Sequence, residues 1–242
     1  MSIIDHKKQD AQKVEQMFSG IGPRYDLLNH VLSLGLDIGW RKKVAQETGG
    51  INCQSILDVC TGTGDMALEL CRFWKENIHI EGLDFSRELL ERARKKIRES
   101  NLESAITFRE GNAEMLPYPH EQFDAITITF GLRNIKNRLK ALKEFYRVAK
   151  LEACFVCLEF SQPRNPFFSA VYSLYLMKLV PLIAQLFGSD PAAYRYLGDT
   201  IKDFPSPSEL ANLITSAGWK AVSYETLAGG IVTIHKGIKS GG

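Results

Sequence analysis

Short apolar runs alternate with amphipathic segments along most of the chain. The runs, 56–60, 78–83, 106–108, 123–130 and 155–160, are typical of buried strands, and the run 123–130 is rich in β-branched residues. The segments between them repeat apolar residues every three or four positions, as helices do: Met66–Lys75, Ser86–Ser100 and Asn137–Ala149. Strands that alternate with helices predict a mainly parallel, doubly wound α/β sheet.

The last third of the chain adds a different pattern. A helix is predicted from Ser206 to Ala217, with Ser206 or Ser208 as its N-cap and Gly218 after it. Two further strands, Trp219–Thr226 and Ile231–Lys236, flank the turn signal Gly229-Gly230 and predict an antiparallel hairpin. We interpret residues 1–242 as a single domain, in which residues 1–50 form a helical lid and residues 163–204 an apolar insertion.

Composition and charge exclude several classes of function. The formal net charge of +2 gives no electrostatic reason for a nucleic-acid partner. Five cysteines are an odd number without disulfide spacing, which favours a reducing cytoplasm, and the charged N-terminus is unlike an export signal. Cys154 and Cys157 have the spacing of a zinc or redox pair, but they fall in a predicted strand and we interpret them as buried thiols.

The turn after the first predicted strand carries the clearest chemical signal. It reads Asp58-Val-Cys-Thr-Gly62-Thr-Gly64-Asp65, and its glycines allow a sharp turn and a close approach of the backbone to a ligand. Asp84 ends the next strand about 20 residues further on, where an acid accepts both hydroxyls of a ribose. Gly111-Asn112-Ala113-Glu114 follows the third strand, where we expect an element on the adenine side of the ligand.

The glycines alone are compatible with two ligands. Gly62-x-Gly64-x-x-Ala67 satisfies a loose dinucleotide fingerprint, but a pyrophosphate requires a helix N-terminus without a nearby anion. Asp58 and Asp65 would repel a diphosphate, whereas they suit the ammonium and sulfonium groups of S-adenosylmethionine. We therefore predict S-adenosylmethionine as the cofactor, no metal, and a Rossmann-like class I methyltransferase sheet, of which the closing hairpin is typical. A nicotinamide enzyme, or a glycine-rich turn without such a ligand, is the alternative.

Separate motifs in a fixed order cover nearly the whole chain. They are Phe18-x-x-Ile-x-Pro-Arg-Tyr-Asp-Leu-Leu-Asn29, Phe130-Gly-Leu-Arg-Asn-Ile135, Leu158-Glu-Phe-Ser161, Tyr194-x-Tyr-Leu, Ile201-x-Asp-Phe-Pro205 and Gly229-Gly-Ile-Val232. Together they resemble the ubiquinone/menaquinone biosynthesis C-methyltransferases, which methylate a ring carbon of a polyprenylated quinol. The chain departs from that family at Leu151-Glu152-Ala153, where relatives usually carry Pro-Gly-Gly in a surface turn before the fifth strand.

The resemblance implies a set of cofactor contacts and an acceptor. The contacts fall on Thr63, Asp84, Asn112, Ala113 and Thr129, and all but Thr129 lie in the turns identified above. The acceptor implied is a polyprenyl quinol, with demethylmenaquinol favoured and a ubiquinone precursor as the alternative.

Methylation of a ring carbon sets the chemistry that the remaining site residues must supply. Such a carbon is a good nucleophile only when a neighbouring hydroxyl ionises, so the oxyanion needs stabilisation. Arg133 follows the fourth strand at the carboxyl edge of the sheet and is the candidate for this role, with Asn134 holding the same oxygen or a water. Tyr25 and Asp26 of the lid are secondary candidates, and His30 is a further candidate proton acceptor. The alternatives are a surface salt bridge for Arg133 and packing or structural roles for Tyr25 and His30.

The insertion is more apolar than a lid over a water-soluble substrate requires. We expect residues 166–187 to line a prenyl-tail tunnel or to rest on the inner face of a membrane, and a homodimer seam or core packing is the alternative. Lys178 and Pro181 interrupt this segment as a membrane span. Two rival functions stay open: a methyltransferase for another lipophilic small molecule, and a non-catalytic cofactor-binding subunit of a quinone-synthesis complex.

Overall fold

The structure is a computed structural model that describes residues 30, 33, 35–50, 53–75, 78–163, 165–175, 178, 180 and 191–241. Tyr25 and Asp26, and most of the lid predicted over residues 1–50, lie outside these ranges. So does much of the apolar segment 166–187. The division into lid, sheet and insertion therefore stays a prediction.

One mixed sheet organises the described residues. Its strands are β1 (Ser55–Val59), β2 (His79–Asp84), β3 (Ile106–Glu110), β4 (Phe123–Thr129), β5 (Ala149–Phe160), β6 (Lys220–Leu227) and β7 (Val232–Ile238). The strand order is β3-β2-β1-β4-β5-β7-β6, with β1 to β5 parallel and β7 antiparallel to both of its neighbours. The predicted doubly wound sheet with a closing hairpin is confirmed, and the carboxyl ends of β1, β2 and β4 meet at one edge.

Seven α-helices accompany the sheet in the described residues, and the four with predicted bounds (the second, third, fourth and seventh) begin and end close to the predicted positions. They are α1 (Leu36–Glu47), α2 (Asp65–Trp74), α3 (Arg87–Glu99), α4 (Arg138–Val148), α5 (Pro166–Leu174), α6 (Pro191–Lys202) and α7 (Pro207–Ser216). The Ser86 hydroxyl caps α3 by accepting from the Leu89 amide at 3.4 Å. Of the two serines proposed for α7, Ser206 is the N-cap, in a reciprocal capping box with Glu209.

The prediction for the start of the fifth strand was wrong. β5 begins at Ala149 rather than Phe155, and residues 151–153, interpreted as a turn before it, lie inside it. The register with β4 jumps between Ala149 and Cys154, which marks an irregular segment. Hydrogen bonds to Lys239, directly after β7, hold this segment in place. The Glu152 amide donates to the Lys239 carbonyl at 2.7 Å, and the Lys239 amide donates to the Ala153 carbonyl at 3.0 Å.

Apolar side chains pack on both faces of the sheet. Trp219, Phe145 and Phe155 belong to one buried cluster, and Met66 and Ile80 to the other. Cys157 lies in the first cluster and Cys154 in the second, so the two thiols lie on opposite faces, as strand geometry requires. Within the described ranges, no group of histidine, cysteine and acidic side chains could hold a metal ion, and no helix is long and apolar enough to cross a membrane.

Candidate active site

The loop between β1 and α2 forms a cradle at the carboxyl edge of the sheet. Its backbone is anchored where the Thr61 amide donates to the Leu83 carbonyl of β2 at 3.1 Å. Gly62 (φ 58°) and Gly64 (φ 83°) take left-handed conformations, and α2 begins at the next residue. A Cβ added at Gly62 would meet nothing within 4 Å, so a ligand can approach the loop backbone closely at this residue.

Asp84, at the end of β2, holds this loop from the side. One carboxylate oxygen accepts from the Gly62 amide and the other from the Ser86 amide, both at 2.9 Å. Burial raises the pKa of this carboxyl, against backbone hydrogen bonds that lower it. A carboxylate offers about four acceptor directions, so capacity remains for ligand hydroxyls on the cavity side.

The two acids on either side of the glycine loop, Asp58 and Asp65, have different surroundings. Asp58 is buried beneath the loop, does not line the cavity, and accepts from the Thr61 hydroxyl at 2.6 Å and the Thr127 hydroxyl at 2.8 Å. Burial raises its pKa to about 6, against those two hydrogen bonds. Asp65 does line the cavity, and its Oδ1 lies 2.6 Å from Lys96 Nζ. Of the two carboxylates expected to attract a cationic ligand, only Asp65 can touch it.

Asn112 and Ala113 follow β3 beside Asp84. The Gly111 amide donates to the Asp84 carbonyl at 2.9 Å, which ties this turn to the end of β2. The Asn112 side-chain oxygen accepts from the Glu114 amide at 2.8 Å. Both Asn112 and Ala113 line the same cavity as Gly62, so the turn after β3 and the turn after β1 form neighbouring walls.

The end of β4 leaves polar atoms without partners. The Thr129 hydroxyl and the Asn134 side-chain oxygen are buried and make no hydrogen bond within the described part of the chain. Both residues line the cavity. Between them Phe130 has a left-handed backbone (φ 57°), so the chain turns away from the sheet instead of continuing the strand through Phe130 as predicted. Buried polar atoms without partners cost about 1–3 kcal/mol each, and a bound ligand or water can supply the missing bonds.

Arg133 forms a buried ion pair and not the surface salt bridge considered as its alternative. Its side chain is 8% exposed, and its Nη1 lies 2.8 Å from Oε1 of Glu159, which is 1% exposed. The same Nη1 donates to the Phe130 carbonyl, and the backbone amide of Arg133 donates to Glu159 Oε2 at 3.1 Å. The guanidinium carbon lies 5.3 Å from the centre of the Phe160 ring. Arg133 is thereby held in one orientation against the cavity wall.

Glu159 was not among the predicted site residues. Its Oε1 also accepts from the Phe160 amide at 2.8 Å, so three donors hold one carboxylate. An available signal was its sequence position: Glu159 is the one acid in the apolar run 155–160, and a buried acid in a strand requires partners. The motif Leu158-Glu-Phe-Ser161 contains Glu159, but the sequence does not show that Arg133 is its partner, so it predicts no role for this acid.

One cavity of about 1320 Å³ is lined by the turn after β1, by Asp84, by the turn after β3 and by the end of β4. Small-molecule sites commonly occupy about 300–1,000 Å³, so this cavity has room for more than one ligand. Its polar end contains the cradle, the turn after β3 and the end of β4. Its other end is aromatic and aliphatic, and is lined by Phe130, Phe160, Phe168, Tyr172, Tyr175, Val180, Tyr196 and Leu213.

Helix α5, from the insertion, supplies much of the aromatic end. Phe168 and Tyr172 of α5, and Tyr175 directly after its last residue, are spaced by four and three residues and line the cavity together. Gly229 (φ 69°) in the β6–β7 turn makes room for Phe168, because a Cβ there would lie 2.7 Å from its ring. The opposite side of α5 is exposed: Phe167 is 80% and Leu174 60% accessible. The helix therefore presents apolar side chains both inward and outward.

His30 lies away from the large cavity. Its Nδ1 is 2.7 Å from Oδ2 of the buried Asp37, and it lines a smaller neighbouring cavity instead. Of the predicted site residues within the described ranges, Gly62, Thr63, Asp65, Asp84, Asn112, Ala113, Thr129, Arg133 and Asn134 line the large cavity. Gly64 does not line it, and a Cβ at this position would lie 3.0 Å from the Phe108 ring and 3.2 Å from Ala93 Cβ.

Comparisons with known proteins agree with this geometry. The model of the ubiE/COQ5 methyltransferase family matches residues 6–239. A ubiquinone/menaquinone biosynthesis C-methyltransferase UbiE of Geotalea uraniireducens is 39% identical over 231 residues, which are 96% of this chain and 98% of that protein. A demethylmenaquinone methyltransferase of a Roseiflexus species is 38% identical over 240 residues, 99% of each chain.

Solved structures share the fold at lower identity. A SAM-dependent methyltransferase from Aquifex aeolicus is 20% identical with a TM-score of 0.60, over 82% of this chain and 89% of that one. The [4+2]-cyclase SpnF is 18% identical with a TM-score of 0.62, over 84% of this chain and 82% of that one. Since a cyclase shares this architecture, fold alone does not decide the reaction.

Proposed function

The chain belongs to the ubiE/COQ5 methyltransferase family, and we propose that it transfers a methyl group from S-adenosylmethionine to a ring carbon of a polyprenylated quinol. Demethylmenaquinol is the acceptor that we favour. The observation that supports this most directly is the single cavity that runs from the polar cradle at Asp84 to the aromatic wall of α5. It offers one end to a nucleoside and the other to a lipophilic ring and tail.

The residues at the polar end fit S-adenosylmethionine. In this proposal Asp84 accepts the ribose hydroxyls, and Asn112 and Ala113 contact the adenine. The open space above Gly62 admits the ligand to the loop backbone. Thr129 lines the same cavity, and its buried hydroxyl has no hydrogen-bond partner among the described residues. When bound, this cofactor supplies a methyl group activated by its sulfonium charge.

The acceptor end requires a group that stabilises a developing phenolate. Arg133 serves as a fixed cation and hydrogen-bond donor and does not act as a base, because a guanidinium has N–H donors and no acceptor. Glu159 holds it in place through the ion pair at 2.8 Å. The Asn134 side-chain oxygen, buried and unpartnered among the described residues, is suited to accept a hydrogen bond from the acceptor hydroxyl or a water. Together these groups orient one ring oxygen beside the carbon to be methylated.

The insertion is the proposed tail and surface contact. The inward side chains Phe168, Tyr172 and Tyr175 line the route available to a prenyl tail. The outward Phe167 and Leu174 would rest on the membrane surface from which such a tail enters. A homodimer seam at the same outward face is the alternative, and vesicle binding against oligomeric state separates the two.

The decisive experiment incubates the purified chain with methyl-labelled S-adenosylmethionine and a panel of acceptors. The panel contains reduced demethylmenaquinol, its oxidised quinone, a reduced ubiquinone precursor and a sterol. We expect label in the reduced demethylmenaquinol and none in the oxidised form, because a quinone carbonyl cannot ionise to activate the ring carbon. Label in the sterol alone would point to another lipophilic acceptor, and cofactor binding without any turnover would point to a non-catalytic subunit.

A further inference from the structure

A cation and an acid lie side by side on the cavity wall next to the cradle. Arg41 of α1 lines the cavity, and its Nη2 is 3.9 Å from Oδ2 of Asp65, the first residue of α2. The Arg41 side chain is 14% exposed. The sequence pattern did not single out this residue, because an arginine in a helix upstream of the sheet carries no motif.

Packing holds the Arg41 guanidinium in place. Its central carbon lies 5.8 Å from the centre of the Phe130 ring, and Trp40 meets the same ring edge-on at 6.2 Å. Its Nη2 is 3.5 Å from Oδ2 of Asp37. α1 thus places one positive charge where the first and fourth strands end.

Among the described residues, Arg41 uses little of its hydrogen-bonding capacity. Its two carboxylate contacts, at 3.5 Å and 3.9 Å, are longer than charge-assisted hydrogen bonds, which measure about 2.7–2.9 Å. Its Nε is buried and has no partner among the residues that the structure describes. A guanidinium has five N–H donors in a planar fork that matches a carboxylate. The geometry therefore suits an anion that is not part of the described chain.

Two other cations near the cradle, Arg133 and Lys96, have close partners of their own. Arg133 is paired with Glu159 at 2.8 Å. Lys96 donates to Asp65 at 2.6 Å and to the Thr63 hydroxyl at 3.1 Å, and it lines the smaller neighbouring cavity and not the large one.

We propose that Arg41 binds the α-carboxylate of the amino-acid end of S-adenosylmethionine, while Asp65 binds its ammonium group. The inference rests on the proposed cofactor, and it names the residues that bind the amino-acid end, which the ribose and adenine contacts do not reach. That end is a zwitterion, so it requires one fixed charge of each sign. Without a cation, its carboxylate would face the acids Asp65 and Asp84 and be repelled. The Arg41–Asp65 pair presents the complementary charges within 4 Å of each other.

Two ligands that differ only in the carboxylate test this assignment. Wild type and Arg41→Gln are titrated by calorimetry with S-adenosylhomocysteine and with its decarboxylated analogue. We expect Arg41→Gln to weaken S-adenosylhomocysteine about 10- to 100-fold, as loss of charge-assisted hydrogen bonds predicts, and to leave the analogue unchanged. Lys43→Gln is the matched control, because Lys43 lies on the same helix and pairs with Glu225 on the surface. It should alter neither affinity.

The outcomes separate this proposal from the cofactor assignment. If neither ligand binds wild type, both the cofactor assignment and this proposal fall. If both bind and Arg41→Gln weakens them equally, or weakens neither, only the role of Arg41 falls. A thermal melt accompanies each titration. Should Arg41→Gln fold poorly, Arg41→Lys keeps the charge and loses the fork, and it should show a smaller loss that is again confined to the carboxylate-bearing ligand.

Discussion

Replacing Asp58 with asparagine is expected to stabilise the cofactor-free fold above pH 6. Burial raises the pKa of this carboxyl from its ordinary value of 3.8 to about 6, although the hydroxyls of Thr61 and Thr127 donate to it and lower the pKa. The folded chain therefore binds the Asp58 proton more tightly than the unfolded chain does. Stability from this group is fully present below about pH 4 and is lost as the pH rises to about 6.

The magnitude follows from that difference. At about 1.4 kcal/mol for each pH unit, a rise from 3.8 to about 6 corresponds to about 3 kcal/mol of lost stability at neutral pH. Asparagine carries no charge to desolvate, and its oxygen and amide can each bond one threonine hydroxyl. For a chain of this size 1 kcal/mol moves the melting temperature by about 2–4 °C, so we expect Asp58→Asn to melt up to about 6–12 °C above wild type.

The assay is a series of calorimetric melts from pH 4 to pH 8 on both proteins. The difference in melting temperature should be small near pH 4, grow through pH 5 to 6 and then level off. Asp124→Asn is the matched control with the opposite sign: burial raises the Asp124 pKa, but hydrogen bonds from Lys150, Ser55 and Gln54 outweigh it and lower the pKa. That variant should be less stable than wild type at neutral pH and converge with it in acid. A destabilised Asp58→Asn at pH 7.5, or a difference that does not change with pH, would refute the reasoning.

Three further predictions concern binding and turnover. Asp84→Ala should weaken S-adenosylhomocysteine binding by about 1.5–3 kcal/mol for each charged hydrogen bond lost, and calorimetry that shows unchanged affinity would argue against the cradle. Arg133→Lys should lower kcat far more than cofactor affinity, because lysine keeps the charge but loses the fork; parallel losses in both would place Arg133 at the cofactor instead. Phe168→Ser should raise KM for a long-tailed quinol more than for a short-tailed one, because Phe168 lines the cavity. The neighbouring Phe167 is exposed, so Phe167→Ser should weaken vesicle binding and leave both KM values unchanged. Equal effects of Phe168→Ser on both acceptors, with a lower melting temperature, would contradict the tail route.

The β1–α2 cradle was predictable because its requirements are local. Gly62 and Gly64 are needed for left-handed turns whatever surrounds them, and Asp84 ends a strand whose place beside β1 follows from right-handed parallel crossovers. The partner of Arg133 was not predictable in this way. Glu159 lies 26 residues further along the chain, and only the pairing of β4 with β5 brings the two together.

Sequence position did not predict which charged side chains from different helices and strands contact each other. Asp58 and Asp65 look alike in the sequence, yet their surroundings differ. Asp58 is buried under the loop beside Thr127 of β4, whereas Asp65 lines the cavity and pairs with Lys96 of α3. Arg41 carries no motif, and its place beside Asp65 depends on how α1 packs against α2 and Phe130. Such contacts depend on the direction of side chains and on how the helices pack, and a local sequence pattern contains neither.

By itself the sequence determined the alternation of strands and helices, the closing hairpin, the turn that forms the cradle and the family to which the motifs belong. These features depend on periodicity and on backbone conformations that only a few residue types adopt. Tertiary structure alone decided that β7 lies between β5 and β6, that Glu159 orients Arg133, and that α5 joins an aromatic chamber to the polar cradle. The physical reason is that a cavity and an ion pair are properties of surfaces brought together from distant segments, and their energies exist only once those segments are packed.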